Sequence, residues 1–196
     1  MNEPRLILGS TSRYRRELLE RLRVPFEVVS PLVDETPLPH ETPAALAERL
    51  ALAKALAVAA LHPGAWVIGS DQVADLDGLP LGKPGQHEIA IAQLRAMQGR
   101  TVIFQTAVAV AAAGFAQVRR VPVSVRFRRL SETEIERYLR LEEPYDCAGS
   151  AKSEGLGITL LEAIDSSDPT ALVGLPLIQT AELLRASGFP LLELAR

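Results

Sequence analysis

Two neighbouring hairpin signals restrict the fold of this chain more than any other feature of its sequence. Asp77-Gly78 stands between two short apolar runs and is a two-residue turn typical of antiparallel strands. The apolar segments 101–111 and 115–127 are joined about Gly114, and the second alternates in the way of a half-buried strand. Helical segments precede and follow both hairpins. This order predicts an α/β fold with a mixed sheet rather than a doubly wound parallel sheet.

The remaining elements follow from apolar spacing and from capping residues. We expect strands at 6–9, 24–31, 66–69 and 158–164. We expect one helix capped by Ser12, a second at 43–61 capped by Thr42, and a third at 132–143 that begins with a capping box at Ser131. Further helices are expected at 86–98 and 176–187, the last after a turn at 165–169. The strand at 66–69 is expected to end at Ser70-Asp71-Gln72, which would present polar side chains where the strand stops. No linker or repeat divides the 196 residues, so we expect a single domain over residues 1–196.

Composition excludes several classes of function. The net charge of −3 gives no overall attraction to nucleic acid. Cys147 is the only cysteine, so the chain has no internal disulfide and no cysteine-based metal cluster. The longest apolar run, 107–116, is too short to span a membrane. We therefore expect a cytoplasmic protein without a nucleic-acid or membrane partner.

The segment that follows the first strand has the composition of a phosphate-binding turn. Ser10-Thr11-Ser12 leads into a helix N-terminus, where free backbone N–H groups attract anions. Arg13, Arg15 and Arg16 add positive charge within one helical turn. Ordinary helix capping beside surface arginines explains the same residues equally well. The segment alone leaves both interpretations open.

Four further charged residues extend the phosphate-binding interpretation. Glu35 and Asp71 are hard oxygen ligands of the kind that Mg²⁺ takes from proteins, and Lys54 and Lys83 are cations for a polyphosphate. Each has an ordinary alternative, since Glu35 and Lys83 fit solvated loops, Asp71 fits a turn cap, and Lys54 fits a side chain that extends along an apolar helix face to water. As a set they indicate a metal-dependent phosphoryl or nucleotidyl hydrolase.

Several motifs resemble the Maf family of nucleoside triphosphate pyrophosphatases, in matching order over nearly the whole chain. These are Leu-Gly-Ser-Thr-Ser-x-Tyr-Arg-Arg at 8–16, Val-Asp-Glu at 33–35, Ile-Gly-Ser-Asp-Gln-Val at 68–73, Leu-Gly-Lys-Pro at 81–84, Lys-Ser-Glu-Gly-Leu-Gly at 152–157 and Val-Gly-Leu-Pro-Leu at 173–177. The resemblance implies an inosine triphosphatase-like α/β fold with a central cleft, a possible homodimer, and hydrolysis between the α and β phosphates. It departs at Arg13, where the family usually has Pro.

The resemblance also implies roles for individual residues. Asp71 would be the proton acceptor, and Ser10, Arg15, Glu35, Lys54 and Lys83 would be polar residues of the cleft. We expect Glu35 and Asp71 to hold a divalent cation, Mg²⁺ or Mn²⁺, while Asp71 activates water. Lys54 and Lys83, with Arg15, would stabilise the charge of the leaving diphosphate.

Three positions distinguish the substrates within the family, and here they are Tyr14, Gln72 and Glu154. This combination resembles the subgroup that acts on 7-methyl-GTP, whereas the dTTP/UTP subgroup tends to have Arg, Thr and Gln. A carboxylate such as Glu154 can accept the N1–H and N2–H donors of guanine together, and Tyr14 could stack on the cationic methylated ring. We expect hydrolysis of 7-methyl-GTP to 7-methyl-GMP and diphosphate, which would remove a modified nucleotide from the pool. The alternatives are a dTTP/UTP pyrophosphatase and a nucleotide-binding regulator of cell division.

Overall fold

The structure is a computed structural model that describes residues 4–196. The strands of this part of the chain are β1 (Leu6–Gly9), β2 (Glu27–Val29), β3 (Trp66–Leu76), β4 (Leu79–Leu81), β5 (Thr101–Ala112), β6 (Phe115–Phe127) and β7 (Leu161–Asp165). Its α-helices are α1 (Arg13–Glu20), α2 (Pro43–Leu61), α3 (His87–Met97), α4 (Glu132–Glu142), α5 (Leu177–Ala186) and α6 (Leu191–Leu194). Short 3₁₀ helices occur at Ala148–Ser150, Leu156–Leu160 and Ala171–Val173. No helix among these residues is both long enough and apolar enough to cross a membrane.

The strands form one mixed sheet, which confirms the predicted fold class. Their order is β2-β1-β3-β5-β6-β7, and β4 pairs with the end of β3. β1 is parallel to β2 and β3, whereas the β3–β4, β3–β5, β5–β6 and β6–β7 pairs are antiparallel. Both predicted hairpins are present. Asp77 and Gly78 each have a positive φ, as the tight turn between β3 and β4 requires.

Local capping chemistry fixes the starts of three helices as predicted. The Ser12 hydroxyl accepts a hydrogen bond from the Arg15 backbone N–H at 3.4 Å and caps α1. Thr42 caps α2, whose first residue is Pro43. Ser131 and the third residue of α4 form a reciprocal capping box.

Three predicted strand limits were wrong, and in each case the pairing of the sheet decided the outcome. The strand predicted at 66–69 continues to Leu76, because β5 pairs with it from Val67 to Asp75. The strand predicted at 24–31 shrinks to β2, because its partner β1 is only four residues long. The strand predicted at 158–164 begins at Leu161, because its partner β6 ends opposite that residue.

The first of these corrections changes where the polar residues lie. Asp71 is in the middle of β3, opposite Ala107 of β5, and not at a strand end. Successive side chains of a strand point to opposite faces, so Asp71 lies on the face covered by α2, and Ser70 and Gln72 lie on the other face. On that other face two apolar clusters occupy opposite ends of the long strands. Ser70 and Gln72 lie between the two clusters.

Close packing of α2 on β3 places the site. Ala47, Ala51 and Ala55 of α2 are fully buried. A Cβ atom at Gly69 would lie 2.3 Å from the Ala51 carbonyl oxygen and 2.5 Å from the Ala55 backbone nitrogen. A glycine in β3 and small residues in α2 thus let the two backbones meet. This contact sets the position of Lys54, which α2 carries next to Ala55.

Candidate active site

A cavity of about 810 Å³ opens beside the middle of β3. Its lining includes every site residue nominated from the sequence: Ser10, Tyr14, Arg15, Glu35, Lys54, Asp71, Gln72, Lys83 and Glu154. These residues come from α1, α2, β3 and four connecting segments that are far apart in the chain. The fold therefore brings the nominated residues together at one site.

A lysine between two carboxylates forms the centre of this cavity. Lys54 Nζ lies 2.6 Å from Asp71 Oδ1 and 2.7 Å from Glu35 Oε1. The side chains of Lys54 and Asp71 are only 6% and 10% exposed, whereas that of Glu35 is 59% exposed. Buried charges persist only when they are paired. The alternative in which Lys54 extends along the helix to water is therefore wrong, because its ammonium is buried among acidic partners.

The electrostatic field of the site favours an ionised Glu35. Burial by itself would raise the pKa of Glu35, but the hydrogen bond from Lys54 and the charges of Lys54, Lys83 and Arg15 lower it below its usual range. Loss of hydration lowers the pKa of Arg15, although Asp71 and Glu35 oppose this effect. The neighbouring cations thus favour the ionised form of Glu35.

The chemistry of the two carboxylates fits a divalent cation. Glu35 and Asp71 each direct an oxygen at the same ammonium nitrogen, so both oxygens already converge on one cationic centre. Residues 4–196 contain no group of three or more His, Cys, Asp or Glu side chains that could hold a metal ion. Two carboxylate ligands are what Mg²⁺ commonly takes from a protein when substrate phosphates supply further oxygens.

A segment that the sequence reasoning left without a role, 171–174, closes one side of the cavity. The Gly174 carbonyl accepts hydrogen bonds from Arg15 Nε at 2.9 Å and from the Ser70 hydroxyl at 2.9 Å. Thr106 Oγ1 donates to the Ala171 carbonyl at 3.0 Å. These contacts fix Arg15, whose Nη1 also reaches Ser10 Oγ at 3.5 Å. The only sequence signal for this segment was the Val-Gly-Leu-Pro-Leu motif.

Gln72 belongs to the same network. Its amide nitrogen donates to Thr106 Oγ1 at 2.9 Å and to the carbonyl oxygens of Leu172 at 2.9 Å and Ala171 at 3.1 Å. The amide N–H groups of Gln72 are thus used within the protein, and they anchor the segment 171–174 to the sheet.

Asp168 is a buried acid that the sequence reasoning assigned only to a turn. It is 1% exposed, and its carboxylate accepts hydrogen bonds from the backbone N–H and hydroxyl of Thr170 and from the Ile178 N–H at 2.7 Å. Ile178 is in the first turn of α5, so Asp168 caps this helix from a distance. The Asp-Pro-Thr sequence before a helix was the available signal.

Arg13, the residue that departs from the family pattern, contacts Tyr14. Its Nη2 donates to the Tyr14 hydroxyl at 2.6 Å, and its guanidinium carbon lies 4.7 Å from the centre of the tyrosine ring. The Tyr14 hydroxyl in turn donates to Asp146 Oδ1 at 3.3 Å. Burial raises the pKa of Tyr14, which keeps it protonated. Arg13 and Asp146 therefore hold the tyrosine ring at the cavity wall.

Lys83 and Glu154 stand on two further loops that line the cavity. The carbonyl of Gly82, next to Lys83, accepts a hydrogen bond from Gln93 Nε2 at 3.0 Å, and Gln93 Oε1 accepts one from the Ser150 hydroxyl at 2.6 Å. Gln93 of α3 thus links the Lys83 loop to the short 3₁₀ helix that precedes Glu154. Glu154 retains exposed surface, but loss of hydration around its carboxyl group raises its pKa.

Three curated relatives of this chain share one name. "7-Methyl-GTP pyrophosphatase" of a Polaromonas species is 69% identical over 95% of this chain and 86% of its own. The proteins of that name from Albidiferax ferrireducens and Burkholderia thailandensis are 63% and 64% identical. They match 98% and 97% of this chain, and 99% and 91% of their own lengths.

Two further comparisons concern the fold and the family. The Ham1 protein of Staphylococcus aureus has a TM-score of 0.46 and 17% identity, over 63% of this chain and 71% of its own. The sequence profile described as "Maf-like protein" matches residues 5–187 of this chain. This match covers all the motifs on which the resemblance was based, and the chain therefore belongs to the Maf family.

Proposed function

We propose that this protein is a nucleoside triphosphate pyrophosphatase that hydrolyses 7-methyl-GTP to 7-methyl-GMP and diphosphate. The observation that carries the proposal is the Glu35–Lys54–Asp71 cluster inside a cavity that also contains Tyr14 and Glu154. The cluster supplies groups for phosphate chemistry, and the other two residues supply groups for a purine base. The names of relatives with 59–69% identity support the same substrate.

The phosphate end of the site would be formed by cations. Arg15 is fixed by Gly174, and Lys83 acts electrostatically on Glu35, so both lie within reach of the carboxylate cluster. Guanidinium groups bind phosphate oxygens in a bidentate manner, and an ammonium acts as a point charge. Positive charge here would orient the triphosphate and stabilise the charge that develops on diphosphate.

Asp71 is the residue we assign as general base. Lys54 donates to its Oδ1 and orients the carboxylate, so Oδ2 is the oxygen we assign to accept a proton. A water oxygen would attack the α-phosphorus in line, and its proton would pass to Asp71. The bond from the α-phosphorus to the bridging oxygen would break, and diphosphate would leave.

Glu35 and Asp71 would hold Mg²⁺ or Mn²⁺. When bound with the substrate, this cation would supply Lewis-acid polarisation of the phosphate oxygens. Lys54 lies between the same two carboxylates, so its positive charge reduces the repulsion between them in the free protein. The competition between Lys54 and a cation for these oxygens predicts that metal affinity depends on residue 54.

Tyr14 and Glu154 would recognise the base. Arg13 covers one face of the Tyr14 ring, so the cationic ring of 7-methylguanine would stack on the other face. Glu154 would accept the N1–H and N2–H donors of the guanine edge. Gln72 would act through the segment 171–174, because its amide N–H groups are already bonded there. In the cell we assign the enzyme to the cytoplasm, where it would remove the modified nucleotide from the pool.

The test is diphosphate release by the purified protein with 7-methyl-GTP, GTP, dTTP and UTP, each with Mg²⁺ or Mn²⁺. We expect 7-methyl-GTP to have the highest kcat/KM. Asp71→Asn should abolish nearly all turnover while the circular dichroism spectrum remains that of the folded protein. Preference for dTTP or UTP would replace the proposed substrate, and nucleotide binding without turnover would favour a regulator. Size-exclusion chromatography of the same sample tests for the homodimer.

A further inference from the structure

The segment 152–157, which we call the Glu154 loop, is attached to α4 through a single carboxylate. Glu142, the last residue of α4, forms an ion pair with Lys152 Nζ through Oε1 and accepts a hydrogen bond from the Leu156 backbone N–H through Oε2 at 2.6 Å. The Glu142 side chain is 13% exposed, and that of Lys152 is 22% exposed. Glu142 therefore holds the loop on both sides of Glu154.

The loop is shaped around this carboxylate. A Cβ atom at Gly155 would lie 2.7 Å from Glu142 Oε2, and one at Gly157 would lie 2.5 Å from the Lys152 carbonyl oxygen. A side chain at Gly157 would thus clash with backbone, and one at Gly155 would displace the Glu142 carboxylate from its present position. The backbone of the loop thus packs closely against the Glu142 carboxylate.

A second residue of α4 supports the same segment. The Tyr138 hydroxyl accepts a hydrogen bond from the Lys152 N–H at 3.1 Å and donates one to the Ser150 carbonyl at 3.2 Å. Tyr138 thus fixes the start of the loop, while Glu142 fixes its middle. Removal of Glu142 would free the residues after Lys152 without detaching the chain before it.

Glu154 itself is held only weakly by side-chain contacts. Within the part of the chain that the structure describes, its carboxylate has one side-chain hydrogen bond, from the neighbouring Ser153 hydroxyl at 3.5 Å. The place from which this side chain extends is therefore fixed by the backbone of the loop. Lys152 is paired with Glu142, so its ammonium helps to hold the loop on α4.

We propose that Glu142 is a positioning residue for base recognition, acting on the nucleotide through the backbone of the Glu154 loop. This inference rests on the proposed function, in which Glu154 binds the guanine edge. Glu142 has no contact with the Glu35–Lys54–Asp71 cluster among the contacts of residues 4–196. Its removal should therefore raise KM for a guanine nucleotide and leave kcat nearly unchanged, which a general loss of folding would not do.

The test compares Glu142→Ala and Glu142→Gln with wild type on 7-methyl-GTP and UTP. Glu142→Ala should raise KM for 7-methyl-GTP about tenfold, with kcat within about twofold, since charge-assisted hydrogen bonds that order the loop are lost. The KM for UTP should change by less than about twofold. Glu142→Gln keeps an acceptor for the Leu156 N–H and should have a smaller effect. The matched control is Glu132→Gln, a substitution on the same helix as Glu142. It removes an exposed ion pair with Arg95 of α3 and should behave as wild type.

Two further measurements separate this inference from the proposed function. In a Glu154→Gln background, Glu142→Ala should raise the KM for 7-methyl-GTP by a further factor of less than about two, because the effects of residues that act as a unit are not additive. Hydrogen–deuterium exchange at the Leu156 amide, measured without nucleotide, should be at least about tenfold faster in Glu142→Ala than in wild type, with α3 unchanged. Equal losses on both nucleotides, additivity with Glu154→Gln, or unchanged exchange at Leu156 would each overturn the inference. If wild type prefers another nucleotide, the proposed function fails. Hydrogen–deuterium exchange at Leu156 and the double variant assayed on that nucleotide still decide the role of Glu142.

Discussion

Gly69→Ala is expected to disturb both stability and catalysis through one contact. The new methyl group would lie 2.3 Å from the Ala51 carbonyl oxygen, whereas ordinary contact begins near 3.4 Å. The neighbouring atoms are backbone atoms of α2, so no side-chain rotation relieves the overlap. The helix must retreat from β3 by about 1.1 Å, or the strand must distort.

The expected cost follows from overpacking. Inserted methyl groups in a close-packed interior cost about 1–3 kcal/mol, and a clash with backbone belongs at the upper end, so we expect a loss of about 3 kcal/mol. For a chain of 196 residues this corresponds to a fall in Tm of roughly 6–12 °C. Retreat of α2 also moves Lys54 from Asp71, so kcat should fall even below the new Tm.

Urea unfolding and diphosphate release measure the two effects. Gly82→Ala is the matched control for stability, because a Cβ atom there meets no heavy atom within 4 Å and Gly82 has no positive φ. We expect its free energy of unfolding to stay within about 1 kcal/mol of wild type. A Gly69→Ala protein with the Tm and turnover of wild type would refute the close approach of α2 to β3 as the determinant of the site.

Other perturbations test the buried charges. Lys54→Met should lose turnover and about 3 kcal/mol of stability in urea unfolding, since it leaves Asp71 buried and unpaired; unchanged stability would contradict that pairing. Asp168→Ala should lower the free energy of unfolding by about 2 kcal/mol and reduce kcat, because α5 loses its cap beside the segment that holds Arg15, whereas a purely local change would leave kcat intact. Hydrogen bonds from the Ser131 backbone and from the Arg128 and Ser131 side chains lower the pKa of Glu134 to about 2. The unfolded chain therefore binds this proton first, and stability falls as pH drops from about 4.5 to about 2; Glu134→Gln should flatten that fall, and an unaltered pH profile would argue against this linkage.

Local signals predicted the parts of the fold that depend on nearby residues. Ser12 and Thr42 cap helices because a hydroxyl three residues before a backbone N–H needs no distant partner. The Asp77-Gly78 turn likewise depends on the conformations of two adjacent residues. The limits of β2, β3 and β7 were wrong for the opposite reason. A strand ends where its partner ends, and the partner is distant in sequence.

The residues of the site could also be predicted from the sequence, whereas their arrangement could not. Glu35, Lys54, Asp71 and Lys83 were nominated by their chemistry as a set, and the fold brings them to one cavity. The pairing of Lys54 with both acids was not accessible, because it depends on how closely α2 approaches β3. Neither was the use of the Gln72 amide within the protein, since its acceptors are about a hundred residues away.

The class of fold, the family and the set of charged and aromatic groups could be predicted from the chain, because composition, turn chemistry and motif order are local properties. The buried charges, the donors that are already bonded and the dependence of the Glu154 loop on Glu142 became visible only in the folded molecule. These outcomes depend on burial and on the meeting of distant backbones. Loss of water around Lys54 and Asp71 makes their pairing obligatory, and that loss occurs only when α2 covers the sheet.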